Sequence, residues 1–257
     1  MPTANALRLQ IERTLESRFP AALTPAPQTV RETAPVGIAT IDSLLSGGLP
    51  IGAISEITGP STSGRTSLAL SFMAQRTSEG KVCAWVDASD SLDPQSAAAS
   101  GVSLRQLLWV RCANAAARTK EKPWSRLDQA MRATDLLLQA GGFAAIVLDL
   151  GDIPEESGRR IPLATWYRFR QAADQSRSSL LVVGKAAYAQ SSADVALECS
   201  PLQAGDTGQT VLDSRAFDVQ LKRQRAASAI TPIRKPPAST WTALSAWGAQ
   251  TKSRGGL

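Results

Sequence analysis

A glycine-rich loop between an apolar strand and a helix constrains the fold more than any other feature of this sequence. Residues 54–58 read as the strand, the letters GPSTSGRTS fill the loop at 59–67, and a helix follows. The loop matches the phosphate-binding pattern G-x-x-x-x-G-K-[ST] except that the lysine is Arg65. In that pattern the glycines let successive backbone N–H groups point at a phosphate, and the helix N-terminus adds a positive dipole. The sequence therefore predicts an α/β fold with a phosphate loop whose cation has been changed.

A second apolar strand ends in a carboxylate that fits the same site. The letters AIVLDL occupy 145–150 and place Asp149 near the end of this strand. An aspartate at the carboxyl end of a buried parallel strand lies close enough to a phosphate loop to hold Mg²⁺ through water. The strand therefore pairs with the loop as the second half of a candidate nucleotide site.

ATP and Mg²⁺ are the candidate ligands, although the exchange of lysine for arginine counts against them. Arginine is always charged, but its planar guanidinium is bulkier than an ammonium, so the exchange is not conservative. A loop kept only because it packs a strand onto a helix is the alternative. The candidate cofactor-binding residues are Gly59, Thr62, Ser63, Gly64, Arg65, Thr66, Ser67 and Asp149, with Thr66 and Asp149 as the metal ligands.

Composition excludes several kinds of site. None of the 257 residues is a histidine, which removes histidine-based triads, metal sites and general bases. Cys83, Cys112 and Cys199 stand far apart in apolar surroundings and predict buried free thiols in a reducing cytoplasm. No apolar run approaches the roughly 20 residues of a membrane span, so we expect a cytoplasmic protein without membrane contact. The net charge of +6 indicates an acidic partner, with nucleic acid as the first choice.

The chain divides by composition into three parts. Residues 1–35 read as a short amphipathic helix and a proline-rich linker, 36–225 as the core domain, and 226–257 as a flexible, disordered tail. Apolar runs and turn residues predict alternating helices and strands through the core. The predicted helices are 37–45, the one from the loop to about 80, 93–100, one opened by a capping box at Ser125 and Asp128, and 162–177; the predicted strands are 54–58, 82–87, 107–110, 145–150, 179–184, 194–199 and 216–222.

Several blocks of the core resemble the RecA family in the same order along the chain. They are 36–52, 54–60, 79–88, 92–94 and 145–149. Blocks in a fixed order are more specific than a single glycine-rich loop. The resemblance implies a RecA-like core with a largely parallel central sheet flanked by helices.

The chain departs from RecA at the residues that would hydrolyse ATP. Arg65 replaces the lysine, and Ser89 stands where the family has a catalytic glutamate that orients the attacking water. Asp90 is one residue away, which in an extended segment turns its side chain to the other face. The segment 185–192 is short where RecA has a long DNA-pairing loop, and Gln190 is not at the position of its phosphate-sensing glutamine. We therefore expect no efficient hydrolysis and no catalytic residue.

This set of departures resembles the ImuA family, degenerate RecA homologues that accompany SOS mutagenesis. The stretches 11–13, 18–23 and 219–225 are also similar to that family. The resemblance implies a non-recombinogenic accessory protein of the SOS DNA damage response, acting in translesion synthesis with RecA or its filament, mutasome polymerase proteins and single-stranded DNA. An ATP-dependent, DNA-stimulated recombinase and an ATP-gated binding switch without hydrolysis remain the alternatives.

The residues expected to make these contacts lie on basic and apolar segments. In RecA the N-terminal helix docks on the adjacent protomer, so the helix at 5–19 implies a homo-oligomer or mimicry of a RecA neighbour. The arginines at 159 and 160 suit phosphate contacts, although Glu155 and Glu156 could simply pair with them. The nucleic-acid candidates are Arg159, Arg160, Lys222, Arg223 and Arg225; the partner candidates are Leu7, Ile11, Leu15, Phe19, Trp241 and Trp247.

Overall fold

The computed structural model describes four stretches of the chain. They are 31–112, 123–201, 214–225 and 238–244, and for residues 123–125, 214–215 and 238–244 the description covers the backbone alone. All of them belong to the unit that begins at Arg31. The expectations for Leu7, Ile11, Leu15, Phe19 and Trp247 lie outside the described residues and stay predictions.

Ten strands and six helices alternate along the described residues. The strands are β1 (Thr33–Ala34), β2 (Leu49–Pro50), β3 (Ile54–Thr58), β4 (Cys83–Asp87), β5 (Leu107–Arg111), β6 (Ala145–Asp149), β7 (Ser179–Gly184), β8 (Val195–Pro201), β9 (Ser214–Gln224) and β10 (Ala238–Leu244). The helices are α1 (Ala39–Leu44), α2 (Arg65–Ser78), α3 (Pro94–Ala99), α4 (Pro123–Ala140), α5 (Glu155–Arg159) and α6 (Leu163–Ser176).

One eight-stranded sheet organises the fold. Its strand order is β10-β9-β8-β3-β7-β6-β4-β5. The six strands from β8 to β5 are parallel, and β9 and β10 continue the sheet antiparallel. β1 and β2 form a separate antiparallel pair. The predicted largely parallel central sheet flanked by helices is confirmed.

Both faces of the parallel strands are buried. In β6, Ala145 and Val147 belong to the apolar cluster that includes α2, whereas Ile146 and Leu148 belong to the cluster that includes α4 and α6. Strands buried on both faces read as continuous apolar runs rather than alternating ones. The sequence therefore located them almost to the residue. The three cysteines are buried and free, as expected.

The structure differs from expectation at the start of helix α4 and within the C-terminal tail. Helix α4 begins at Pro123, two residues before the capping box predicted at Ser125, because proline at the first turn starts a helix without losing a hydrogen bond. The tail expected to be flexible contains β10, which pairs antiparallel with β9 and sets Trp241 opposite Phe217. Local composition gives little sign of a strand such as β10, whose hydrogen bonds come from the neighbouring strand β9.

The described part of the chain has no helix long and apolar enough to cross a membrane.

A buried carboxylate in the central strand fixes the segment after β7. Glu56 is only 1% exposed, and its Oε1 accepts hydrogen bonds from the backbone N–H groups of Tyr188 (2.7 Å) and Ala189 (2.6 Å). Its Oε2 has no hydrogen-bond partner within the described residues. Burial raises the pKa of Glu56 above its ordinary value, and the backbone donors oppose that rise. Glu56 therefore holds the short segment that follows β7.

We predict that Glu56→Ala destabilises the fold far more than Glu56→Gln. Alanine leaves two buried N–H groups without an acceptor, at a cost of about 1–3 kcal/mol each. Glutamine keeps an amide oxygen for both donors and removes a buried charge. Urea unfolding followed by circular dichroism measures the difference. Glu198→Ala, at a half-exposed glutamate paired with Lys222, is the control and should change stability by less than about 1 kcal/mol. If Glu56→Ala and Glu56→Gln lowered the free energy of unfolding equally, Glu56 would not be the acceptor that holds Tyr188 and Ala189.

Candidate phosphate-binding site

The loop between β3 and α2 has the backbone of a phosphate loop. Thr62 (φ 66°) and Gly64 (φ 85°) are left-handed, and α2 begins at the next residue. Gly59 and Gly64 also lie where a side chain would not fit. A Cβ at Gly59 would lie 2.3 Å from the carbonyl oxygen of Cys199. A Cβ at Gly64 would lie 2.7 Å from the ring of Phe217, on β9. Strand β9 therefore packs directly on the loop through Phe217, a contact that the sequence did not reveal.

A cleft of about 290 Å³ opens beside this loop. Both predicted metal ligands, Thr66 and Asp149, lie in its wall, as does Arg65. The other predicted cofactor residues, Gly59, Thr62, Ser63, Gly64 and Ser67, belong to the loop or the first turn of α2 and do not line the cleft. No group of three metal-binding side chains occurs among the described residues. A Mg²⁺ ion held by Thr66 and Asp149 would therefore need further oxygen ligands, such as those of a phosphate or water. The cleft is lined by Arg65, Thr66, Leu70, Ser91, Leu92, Asp93, Ser96, Asp149, Gly151 and Asp152.

The guanidinium of Arg65 links the start of the loop to the segment after β6. Its Nη1 donates to the carbonyl oxygen of Gly59, at the start of the loop, and its Nη2 donates to the carbonyl oxygen of Gly151 (3.1 Å), just after β6. Arg65 is 7% exposed. We call this set of contacts between Arg65, Gly59 and Gly151 the arginine clasp.

The site fits a bound triphosphate only in part. The backbone of the loop suits a phosphate, because its glycines and the start of α2 have the required form. The cation is less well placed, because both terminal nitrogens of Arg65 already donate to protein carbonyls and so fix the guanidinium toward Gly59 and Gly151. A phosphate would have either to use the remaining N–H donors of this fixed group or to displace one of these bonds.

Asp149 is buried beside the clasp. Its Oδ1 accepts a hydrogen bond from the backbone N–H of Gly151 (2.9 Å). Burial raises the pKa of Asp149 to about 6; the nearby Asp87 adds to the rise, and the Gly151 bond and the Arg65 charge oppose it. Gly151 therefore binds both residues: its N–H donates to Asp149, the predicted metal ligand, and its carbonyl oxygen accepts a hydrogen bond from Arg65.

Asp87 shapes the segment that contains Ser89 and Asp90. Its buried carboxylate accepts backbone N–H bonds from Ser89 (3.2 Å), Ser91 (3.1 Å) and Leu92 (2.8 Å). This turn brings Ser91 and Leu92 into the cleft wall, whereas Ser89 and Asp90 are absent from it. One feature of the sequence could have pointed to Asp87 as a residue of the site: it ends a buried strand, as Asp149 does.

Asp90 is engaged elsewhere. Its carboxylate forms a two-bond ion pair with Arg111, at 2.5 and 2.6 Å. This pair lowers the pKa of Asp90, so the group stays ionised and bound. The cleft wall therefore offers no carboxylate at the position of Ser89 or Asp90 that could orient a water.

The predicted nucleic-acid residues separate into two groups. Arg159 lies on helix α5, not on a loop, and pairs with Glu155 four residues earlier. Lys222 pairs with Glu198 (2.6 Å), and Arg223 donates to the carbonyl oxygen of Gln190. The side chains of Arg160 and Arg225 are exposed and make no hydrogen bond or ion pair within the described stretches. The sequence correctly left the pairing of Arg159 with Glu155 open as an alternative.

We predict that Asp149→Asn stabilises the protein increasingly as the pH rises from about 4 to about 6. A raised carboxyl pKa means that the folded state binds the proton more tightly than the unfolded state, so the wild type loses stability across this window. Asparagine stays neutral and keeps the oxygen that accepts from Gly151. The gain should level off above pH 7 at no more than about 3 kcal/mol.

Urea unfolding between pH 4.5 and 7.5 tests this, with the exposed Asp128→Asn on α4 as the control. A stability difference that does not change with pH, or that shrinks as pH rises, would show that Asp149 is not held as described.

Comparison with known proteins places this geometry in a family. The sequence matches the RecA N-terminal domain over residues 6–151, more than half of the chain. It is 36% identical to Protein RecA of Synechocystis over 154 residues, which are 60% of this chain and 42% of that protein. It is 38% identical to Protein RecA of Brucella anthropi over 125 residues, 48% of this chain and 31% of that protein. The chain thus matches less than half the length of these relatives.

A solved structure shows the same fold. The RadB recombinase superimposes with a TM-score of 0.55 over 75% of this chain and 90% of that one, at 17% identity. A likeness at this identity concerns the fold alone. Together with the phosphate loop on β3, the aspartate that ends β6 and the match over residues 6–151, it supports one conclusion: the chain belongs to the RecA family.

Proposed function

We propose that this protein is a non-recombinogenic RecA-like accessory protein of the SOS DNA damage response. It acts in translesion synthesis and mutagenesis in the cytoplasm, through contacts with RecA or its filament, with mutasome polymerase proteins and with single-stranded DNA. The resemblance to the ImuA family motivates this role. Membership of the RecA family supplies the protomer-like surface through which such a protein would engage RecA.

The observation that carries the proposal is the state of the hydrolytic residues on a preserved fold. Arg65 donates to two protein carbonyls, and the segment of Ser89 and Asp90 presents no carboxylate to the cleft. Catalytic groups that act as a unit are not rescued one by one. A chain that keeps the RecA fold while these groups are engaged elsewhere fits an accessory better than a recombinase.

A nucleotide-gated switch without turnover is the second candidate. Thr66 and Asp149 still share the cleft beside the loop, as a Mg²⁺-nucleotide would require. A nucleotide could then change the contacts of Arg65 without being hydrolysed. This candidate predicts ATP-dependent association with a partner and no phosphate release.

The basic residues that are free of protein partners support contact with DNA. Arg160 directly follows α5 and Arg225 follows β9, and both side chains are exposed. Exposed arginines suit phosphate oxygens because they bind without first breaking an internal ion pair. The net charge of +6 adds a general attraction to an acidic polymer.

We predict that the full chain binds RecA assembled on single-stranded DNA, measured by biolayer interferometry. Trp247→Ala should weaken this binding by about tenfold or more, as expected for an aromatic anchor. Tyr167→Ala is the matched control, because this tyrosine is an exposed aromatic on a core helix. Absence of binding to the RecA filament, to free RecA and to the polymerase proteins would refute the proposed function.

A further inference from the structure

We propose that the arginine clasp is an autoinhibitory contact that closes the phosphate loop to Mg²⁺-nucleotide, and that Gly151 is the residue that makes it possible. The proposal goes beyond the proposed function, because it concerns the loop itself and requires no partner. It rests on three observations about the contacts of Arg65, the space at Gly151 and the contacts of Asp149.

The clasp requires the fork of an arginine. Two terminal nitrogens of one guanidinium reach carbonyl oxygens of two separate segments, that of Gly59 at the start of the loop and that of Gly151 after β6. A lysine at this position would carry a single nitrogen on a flexible stem, so it could not present two nitrogens in a fixed fork. Arg65 is also almost fully buried, so these carbonyls replace much of the hydration of its charge, and Asp149 is the nearby carboxylate that its charge affects.

The clasp also requires a glycine after β6. A Cβ at Gly151 would lie 2.8 Å from Nη2 of Arg65 and 3.1 Å from Oδ1 of Asp149. The backbone of Gly151 is not left-handed, so its conformation does not call for glycine. The guanidinium is thus the first group that a side chain at 151 would meet, and in this sense Arg65 and Gly151 form a matched pair.

Gly151 connects the cation to the metal ligand. Its carbonyl oxygen accepts from Arg65, and its N–H donates to Asp149. One residue thus engages both groups that a Mg²⁺-nucleotide would need. Opening the loop to a triphosphate requires the release of Arg65, and this release removes the bond that joins the loop to the end of β6.

Calorimetric titration with Mg²⁺-ADP tests the proposal on the full chain. Arg65→Lys should bind at least tenfold more tightly than the wild type, because the ammonium cannot hold both segments and is free for phosphate. Arg76→Lys is the matched control: it changes the other buried arginine of α2, which pairs with Glu79. This control should leave the affinity for Mg²⁺-ADP unchanged.

Thermal melting without nucleotide gives a second, independent readout. Gly151→Ala should lower the melting temperature of the wild type, because the new methyl group meets the guanidinium. The same change should lower it by less than half as much in the Arg65→Lys background. Where Gly151→Ala fails to fold, the titration of Arg65→Lys alone decides.

Three results would overturn the proposal. The first is a wild type that binds Mg²⁺-ADP as tightly as Arg65→Lys does. The second is a lack of binding by both proteins, because the clasp would then not be what excludes the nucleotide. The third is a Gly151→Ala effect on the melting temperature that is the same in both backgrounds.

Discussion

Buried carboxylates that accept backbone N–H groups hold the edge of the sheet where the candidate site lies. Glu56 on β3, Asp87 on β4 and Asp149 on β6 each bind a segment beyond the end of a strand. A buried carboxylate is costly unless such donors compensate for the lost water. Asp87 and Asp149 in this way hold Ser91, Leu92 and Gly151 in the wall of the cleft, and Glu56 holds the segment after β7.

The charged groups at this edge are bound mainly to other parts of the protein. Arg65 donates to the carbonyl oxygen of Gly151, whose N–H donates to Asp149. The segment after Asp87 folds back so that Asp90 pairs with Arg111. Thr66 and Asp149 nevertheless line the cleft, and the buried hydroxyl of Ser63 has no hydrogen-bond partner within the described residues.

Sequence patterns predicted the features that depend on neighbours along the chain. Strands β3, β6 and β7 were located because strands buried on both faces are continuous apolar runs, and Gly64 was identified because a phosphate loop needs its positive φ. The features that were missed depend on residues far apart in sequence. Examples are the pairing of β10 with β9 and the packing of Phe217 on Gly64. The bond from Arg65 to Gly151 spans 86 residues, which no local pattern could reveal.

We infer that the RecA fold is kept while the hydrolytic site is closed. Phosphate release from Mg²⁺-ATP by the full chain, with and without single-stranded DNA, tests this inference. We expect no release above that of Asp149→Asn under either condition. Release that DNA stimulates and that Arg65→Ala abolishes would contradict it and make Arg65 a working catalytic cation.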